Sequence, residues 1–328
     1  MASDERKPAL TGYRALILCG LLFALLPHPW TASARAQGAA AAPAAADSEA
    51  AWRQNVIAWR TQREKELAAP DGWLTLIGMD WLKPGVNAVG SAGNCGIRVP
   101  GPAPGQIGLL TVSGTTVQLL APAGGFPQGL TVDGGPAREG PITAEGAKPS
   151  TIAWHGLSLM VLDRGGRFAV RIKDAEAPAR RGFHGLRWYD PDPRLRVTAQ
   201  WTPFHPARVE KIPTVLGTTL DLPSPGFAEF ALDGKPYRLQ PVIEAGDERE
   251  LFFILRDKTS ETTTYNIGRY LHADLPDHGI EQAGHVVLDF NLLYNPPCAY
   301  TIFATCPMPP PENRLPVAIP AGEERYLK

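Results

Sequence analysis

Residues 107–120 read IGLLTVSGTTVQLL, two short apolar and β-branched runs on either side of Ser113-Gly114. The same unit recurs in both directions. NAVG (87–90) and CGIRV (95–99) precede it, and GLTVDG (129–134), LSLMVLD (157–163) and RFAVRI (167–172) follow it. Strand-like runs spaced about ten residues apart, with Gly and Pro between them, predict an all-β sandwich over residues 73–174. Upstream, residues 48–67 carry the one helical pattern. Trp52, Val56 and Trp59 recur at helical spacing, with Leu67 near the end. Arg53, Arg60, Arg63, Glu64, Lys65 and Glu66 are expected mostly on the other faces. Ser48 is placed to cap the helix and Pro70-Asp71-Gly72 to end it. The tryptophan stripe reads as core packing.

Downstream, LRWYDPDP (186–193) is a proline-rich hinge into a second half. LRVTAQWTPF, RVEKIPTV, FAEFAL, YRLQPVI, ELFFILRD and HVVLDFN follow as strand candidates, with Asp233-Gly234 as a hairpin signal. Helical period is missing, and the expected architecture is an antiparallel meander, curled into a half-barrel or a sandwich. The chain is therefore read as mainly β. A helix plus sandwich spans 51–185, and a second antiparallel β domain spans 186–328.

The composition agrees. The chain holds 33 Gly and 33 Pro in 328 residues, which favours short strands and many turns. Its 44% hydrophobic content is enough for packed cores. Lys and Arg number 32 against 33 Asp and Glu, with no run of one sign, so no nucleic-acid footprint is present.

The N-terminus reads as a secretory signal. Lys7 and Arg14 precede the apolar run ALILCGLLFALL (15–26), and Ala34-Arg35-Ala36 is an A-x-A cleavage site before Gln37. The run is short for a bilayer span. An uncleaved anchor is the alternative. Cleavage after Ala36 implies a periplasmic or secreted protein without a stable membrane span. The alanine-rich residues 37–50 are then expected to form a disordered tether. In that oxidising setting Cys298 and Cys306 are expected to pair, with Cys95 left as a buried thiol. Closing so short a loop contributes roughly 2.5 kcal/mol by chain entropy. No CxxC or HxxxH pair suggests a metal, and no glycine-rich phosphate loop or dinucleotide fingerprint calls for a cofactor.

The first half resembles a forkhead-associated domain in its order of parts. WLKPGVNAVGSAGNCGIRVP (81–100) looks like the opening strands and glycine turn. TTVQLLAPAG (115–124) and LTVDGGPAREG (130–140) look like later strands, and HGLSLMVLDRGGRFAVRI (155–172) like the closing ones. That family holds phosphate with an Arg after the glycine turn and a Ser in S-x-x-H. Here Ser91 follows Gly90, Gly105-Gln106-Ile107-Gly108 stands in place of S-x-x-H, and Asp133-Gly134 replaces Asn-Gly. A dianion without a bidentate cation is poorly held. Binding of phosphothreonine peptides is not expected, and a scaffold role suits this half.

The second half resembles an uncharacterised family, domain of unknown function 1684. FHGLRWYDPDPRLRVTAQWTPF (183–204), FFILRDKTSETTTYNIGRYL (252–271) and LDFNLLYNPPCAYTIFATCPMPPPENRLPVAIPAGE (288–323) look like its entry, central and closing blocks. With the N-terminal helix, the likeness covers nearly all the mature chain. It implies a bacterial β-rich protein and brings no chemistry with it.

The residues themselves offer candidates. Asp257 and Thr259 sit at a strand end before a Thr-rich turn. Tyr265 and Arg269 follow, four apart. Asp289 and Asn291 alternate with Phe290 and are expected on one face of a strand, and Asn295 opens the loop held by Pro296 and Pro297. If the two blocks pair, Asp257, Arg269, Asp289 and Asn291 converge. Two carboxylates, a cation, an amide and a phenol suit a small polar or glycan ligand. They also suit a hydrolase using Asp257 or Asp289 as general acid or base. Alternatively, the same groups only tie strands together, and the chain is an interaction scaffold. No G-x-S-x-G elbow is present, and no histidine has a recognisable partner in the sequence.

Overall fold

The computed structural model describes residues 42–244, 246 and 248–327. The expected signal segment, its cleavage site and the first residues of the tether lie outside them. Gly108–Ser113 and Thr116–Leu120 pair antiparallel, as their sequence predicts. Val117 and Leu119 point inward while Thr116 and Gln118 face solvent, the period of two that a half-buried strand requires. These strands sit in a five-stranded sheet with Gly85–Gly90, Ile97–Arg98 and Gly140–Ile142. A six-stranded sheet orders Leu76–Trp81, Phe168–Asp174, Leu157–Asp163, Thr151–Trp154, Thr131–Val132 and Gly135–Pro136. Leu110 and Leu119 from the first sheet share one core with Leu159, Val170 and Ile172 from the second. The sandwich read from the sequence is the fold of this half.

The residues that stand at the phosphate positions of the resembled domain have structural work. Ser91 Oγ donates to the carbonyls of Ala103 (2.7 Å) and Pro104 (3.1 Å). Asp133 lies at φ 52° and accepts the Thr151 amide at 2.8 Å.

The second half is built on a four-stranded antiparallel sheet ordered Lys235–Leu239, Thr219–Leu232, Arg196–Pro213 and Gly284–Asp289. A separate ladder pairs Glu250–Leu255 with Arg269–Asp274. Asp233-Gly234 is the expected tight hairpin, with Leu232 opposite Lys235 and both turn residues at positive φ. LRVTAQWTPF and RVEKIPTV are one strand rather than two, since the ladder is interrupted between Pro203 and Arg208 without turning back. Trp201, Phe230, Phe253, Leu271 and Phe290 fill the core of this half. Trp201 is fully buried, and truncating such a side chain costs about 3–5 kcal/mol.

The helix spans Ala42–Leu67. It begins before the expected start, so residues 42–50, assigned to the tether, are helical, and Ser48 lies within the helix rather than capping it. Arg60, expected outside, is buried and donates to the carbonyls of Tyr189 (2.8 Å) and Asn291 (3.2 Å). Glu64 accepts the Leu186 amide (3.1 Å) and Trp188 Nε1 (2.9 Å), and Arg53 reaches the Pro191 carbonyl (2.9 Å). The segment 186–193, read as a hinge, is thus fastened to the helix. Its prolines lack amide donors, and the helix supplies side-chain donors to its carbonyls. Ala45–Lys328 form one compact unit.

Candidate functional site

The expected convergence of polar residues resolves into separate networks. In the first, Asp257 caps the short helical turn Lys258–Glu261, its Oδ1 accepting the amide (2.7 Å) and hydroxyl (2.6 Å) of Thr259. Its Oδ2 pairs with Arg269 at 2.6 Å, and both side chains are 1% exposed. Arg269 also donates to the carbonyls of Ile319 (3.0 Å) and Ala321. The preceding Gly268, at φ +141°, lets the chain pass under the proline-rich segment. A Cβ there would lie 2.6 Å from Pro309 Cγ. This network is sealed, and it ties the end of the ladder to the C-terminal segment.

The second network lies under the helix. The strand ends at Asp289, and Phe290–Leu292 is a 3-10 turn, so Asn291 does not share a strand face with Asp289. The cause is local: Asp289 Oδ1 accepts the backbone amide (3.1 Å) and side-chain amide (2.9 Å) of Asn291 and bends the chain into the turn. Asn291 also bridges the backbone of Asp192, accepting its amide at 2.8 Å and donating to its carbonyl at 2.9 Å. Asp289 Oδ2 accepts Trp52 Nε1 at 2.6 Å, with Arg196 at 3.8 Å.

The third network centres on Glu323, which is fully buried and had no part in the sequence reading. Asn295 donates its backbone amide (3.0 Å) and side-chain amide (2.7 Å) to the Glu323 carboxylate, and Tyr300 adds its hydroxyl. Burial raises the Glu323 pKa above the ordinary value, against the opposing pull of Arg63 and these donors. Tyr265 packs half-buried beside Leu67 and Tyr300, and burial pushes its phenol up to about 12.

Between the helix and the sheet lies an open cleft of about 760 Å³. Of the seven expected side chains, Asp289 alone lines it. The rings of Trp52, Trp59 and Tyr294 form part of its wall, with Gln62, Arg63 and Asp274. Trp59 packs edge-on to Trp188 (5.9 Å) and tilted on Tyr294 (6.2 Å), which fixes its ring. The helical tryptophans are therefore both packing residues and cleft wall.

Glu250, His272 and Tyr294 meet in the same cleft. His272 Nδ1 lies 3.2 Å from Glu250 Oε2, and Nε2 lies 2.9 Å from the Tyr294 hydroxyl. The imidazole stacks on Phe252 (4.8 Å), and the Tyr294 ring lies near-parallel to it at 5.9 Å. Burial raises the Tyr294 pKa, so the phenol stays protonated. Sequence reasoning missed this trio because its members come from two strands and a loop. Strand register pairs Phe252 with His272 and places Glu250 diagonally across from the histidine, and no sequence pattern specifies that register.

Cys298 and Cys306 are adjacent but unlinked in this structure. The Cys298 amide donates to Cys306 Sγ at 3.1 Å. Their side-chain hydrogen bond lowers the Cys298 pKa and raises that of Cys306. Cys95 is a buried thiol. Among the described residues no group of three or more His, Cys, Asp and Glu is placed to hold a metal. No described helix is long and apolar enough to cross a membrane.

Residues 181–324 match the model of a family described as "Protein of unknown function (DUF1684)". The chain belongs to this family. The match covers the C-terminal part and not the helix and sandwich before it. The chain is also similar to an uncharacterised protein of Haloarcula marismortui with a solution NMR structure. The identity is 37%, over 44% of this chain and 79% of that one, with a TM-score of 0.38. None of the curated proteins matches.

Proposed function

We propose that this family member binds a small, hydroxyl-rich polar ligand, such as a glycan, in the cleft between the helix and the sheet of the second half. One observation carries the reading: an open cleft of about 760 Å³ that combines Trp52, Trp59 and Tyr294 rings with amide and carboxylate side chains. Aromatic faces suit the apolar faces of sugar rings, and a few placed polar groups suit their hydroxyls. Asp257 supports binding poorly, since its oxygens are committed to Thr259 and Arg269. Asp289 retains a place at the cleft wall.

Titration of the folded protein with cello-, chito- and xylo-oligosaccharides, followed by calorimetry, tests the reading. Saturable binding that weakens at least several-fold in a Gln62→Ala, Asp274→Ala double variant supports it. Heat-silent titrations across the panel contradict it. Both substituted residues are exposed, so the double variant keeps its fold.

The setting is proposed with it. Export with cleavage after Ala36 predicts a mature N-terminus at Gln37, and N-terminal sequencing of envelope protein that still begins before Gln37 counts against it. In that compartment the adjacent Cys298 and Cys306 close to a disulfide, which mass spectrometry of unreduced peptides detects. Two freely alkylated thiols in such protein oppose that step.

A further inference from the structure

We propose that the cleft is hydrolytic, with His272 as the general base for ester cleavage on the bound ligand, Glu250 as its positioning residue and Tyr294 as the hydroxyl donor. This rests on the cleft being the ligand site. The geometry is that of a carboxylate–imidazole–hydroxyl relay. Glu250 at 3.2 Å from Nδ1 favours the tautomer with its proton on that nitrogen. Nε2 then carries the lone pair and accepts the Tyr294 hydroxyl at 2.9 Å. Stacking on Phe252 and Tyr294 holds the ring in this orientation. His285 also has a carboxylate at 3.2 Å, from Asp277; what sets His272 apart is that its relay lines the open cleft.

The chemistry balances with water as the only co-reactant. With ligand in place the Tyr294 O–H turns from Nε2 toward the ester carbonyl, and water oxygen bonds to the acyl carbon while the freed Nε2 takes one of its protons. The carbonyl pair moves onto oxygen, where the Tyr294 hydroxyl donates a hydrogen bond. Collapse breaks the acyl C–O bond, and the leaving alkoxide takes the proton back from the imidazolium. The products are a carboxylic acid and an alcohol, and His272 is again neutral. Glu250 stabilises the imidazolium formed on the way. Phenolate chemistry at Tyr294 is not required, in keeping with its raised pKa.

The charged groups around the relay set its pH dependence. Glu250 and Asp274 come from the ladder, Arg63 and Glu66 from the helix, and Arg196 and Asp289 from the neighbouring sheet. Glu244 acts on Tyr294. Glu250 is the carboxylate in contact with the imidazole, so its removal withdraws stabilisation from the imidazolium formed during the reaction.

The test uses the full mature chain with p-nitrophenyl acetate and an acetylated xylo-oligosaccharide. The expected wild-type kcat/KM rises with pH through a single ionisation. His272→Gln reduces kcat by about 10²–10⁴-fold. Glu250→Gln moves the midpoint of the pH profile down by roughly one unit, and Tyr294→Phe lowers kcat without moving it. A merely structural relay leaves the pH midpoint where it was. If His272→Gln does not fold, the Glu250→Gln profile decides, since that side chain is 44% exposed. Wild-type rates in His272→Gln, or an unmoved midpoint in Glu250→Gln, overturn the proposal. Wild-type protein that binds the oligosaccharide by calorimetry without releasing acetate overturns catalysis and leaves the binding reading standing. Absence of both binding and turnover removes both.

Discussion

The ladder formed by Glu250–Leu255 and Arg269–Asp274 ends in two different ways. At one end, beside the Leu255–Arg269 pair, Asp257 and Arg269 are sealed together with 1% exposure each. At the other end Glu250 lies opposite Asp274, and with His272 they open onto the cleft. The two ends carry similar residue types. What separates them is exposure: the side chains of Arg269 and Asp257 are 1% exposed each, and those of His272 and Glu250 are 29% and 44% exposed. At the sealed end Thr259, Ile319 and Ala321 surround the ion pair, so the charges hold the chain together. At the open end the side chains keep one face toward solvent, where a ligand can compete for them.

The largest effect expected from this contrast is at the sealed end. Arg269→Ala leaves a buried carboxylate unpaired and lowers stability by on the order of 3–5 kcal/mol. Denaturant melts measure this directly, and a loss under 1 kcal/mol would erase the distinction between the two ends. Asp289 is intermediate, walled by Trp52 and Asn291 yet in contact with the cleft. Its nearest cation, Arg196, is half exposed at 3.8 Å, so no buried ion pair is broken in Asp289→Asn. We expect a loss of roughly 1.5 kcal/mol, from weaker bonds to Trp52 Nε1 and the Asn291 amide. A loss as large as that of Arg269→Ala would move Asp289 into the sealed class.

The buried Glu323 sharpens the comparison by pH. Its carboxyl holds a proton more tightly in the folded state than in the unfolded one. Its contribution therefore favours the fold most below the unfolded value, 4.5, and fades as pH rises through the raised folded value. Unfolding curves of wild type and Glu323→Gln across this range should show the variant losing less stability as pH rises. Parallel curves would mean that its donors fully offset the burial. At the smallest end, Gln62→Ala on the exposed helix face should change stability by no more than about 0.5 kcal/mol, and a larger change in a thermal melt would place Gln62 in the packing rather than on the cleft.

How much of this was legible depends on the kind of signal. The sandwich was readable because Val117 and Leu119 follow the strand period, and the hairpin of the second half because the Asp233-Gly234 turn has few alternatives. The helix was readable in outline from Trp52, Val56, Trp59 and Leu67. Its polar inner face was not, because buried Arg60 and half-buried Glu64 are held by hydrogen bonds, chiefly to the 186–193 segment, and hydrophobic periodicity does not see such contacts. Asp257 and Arg269 were expected in one cluster with Asp289 and Asn291, and their separate sealing was not visible, since Ile319 and Ala321 arrive from far along the chain. The Glu250–His272–Tyr294 trio follows from strand register, which no local pattern specifies.

The cleft as ligand site is the central claim, and the indole N–H signals of Trp52 and Trp59 report on it most directly. In a two-dimensional NMR titration with the oligosaccharide that binds most tightly in calorimetry, we predict that these two signals shift together and saturate, while the amide of Arg269 at the sealed end stays in place. Shifts that spare both indoles and gather elsewhere on the protein would contradict the account.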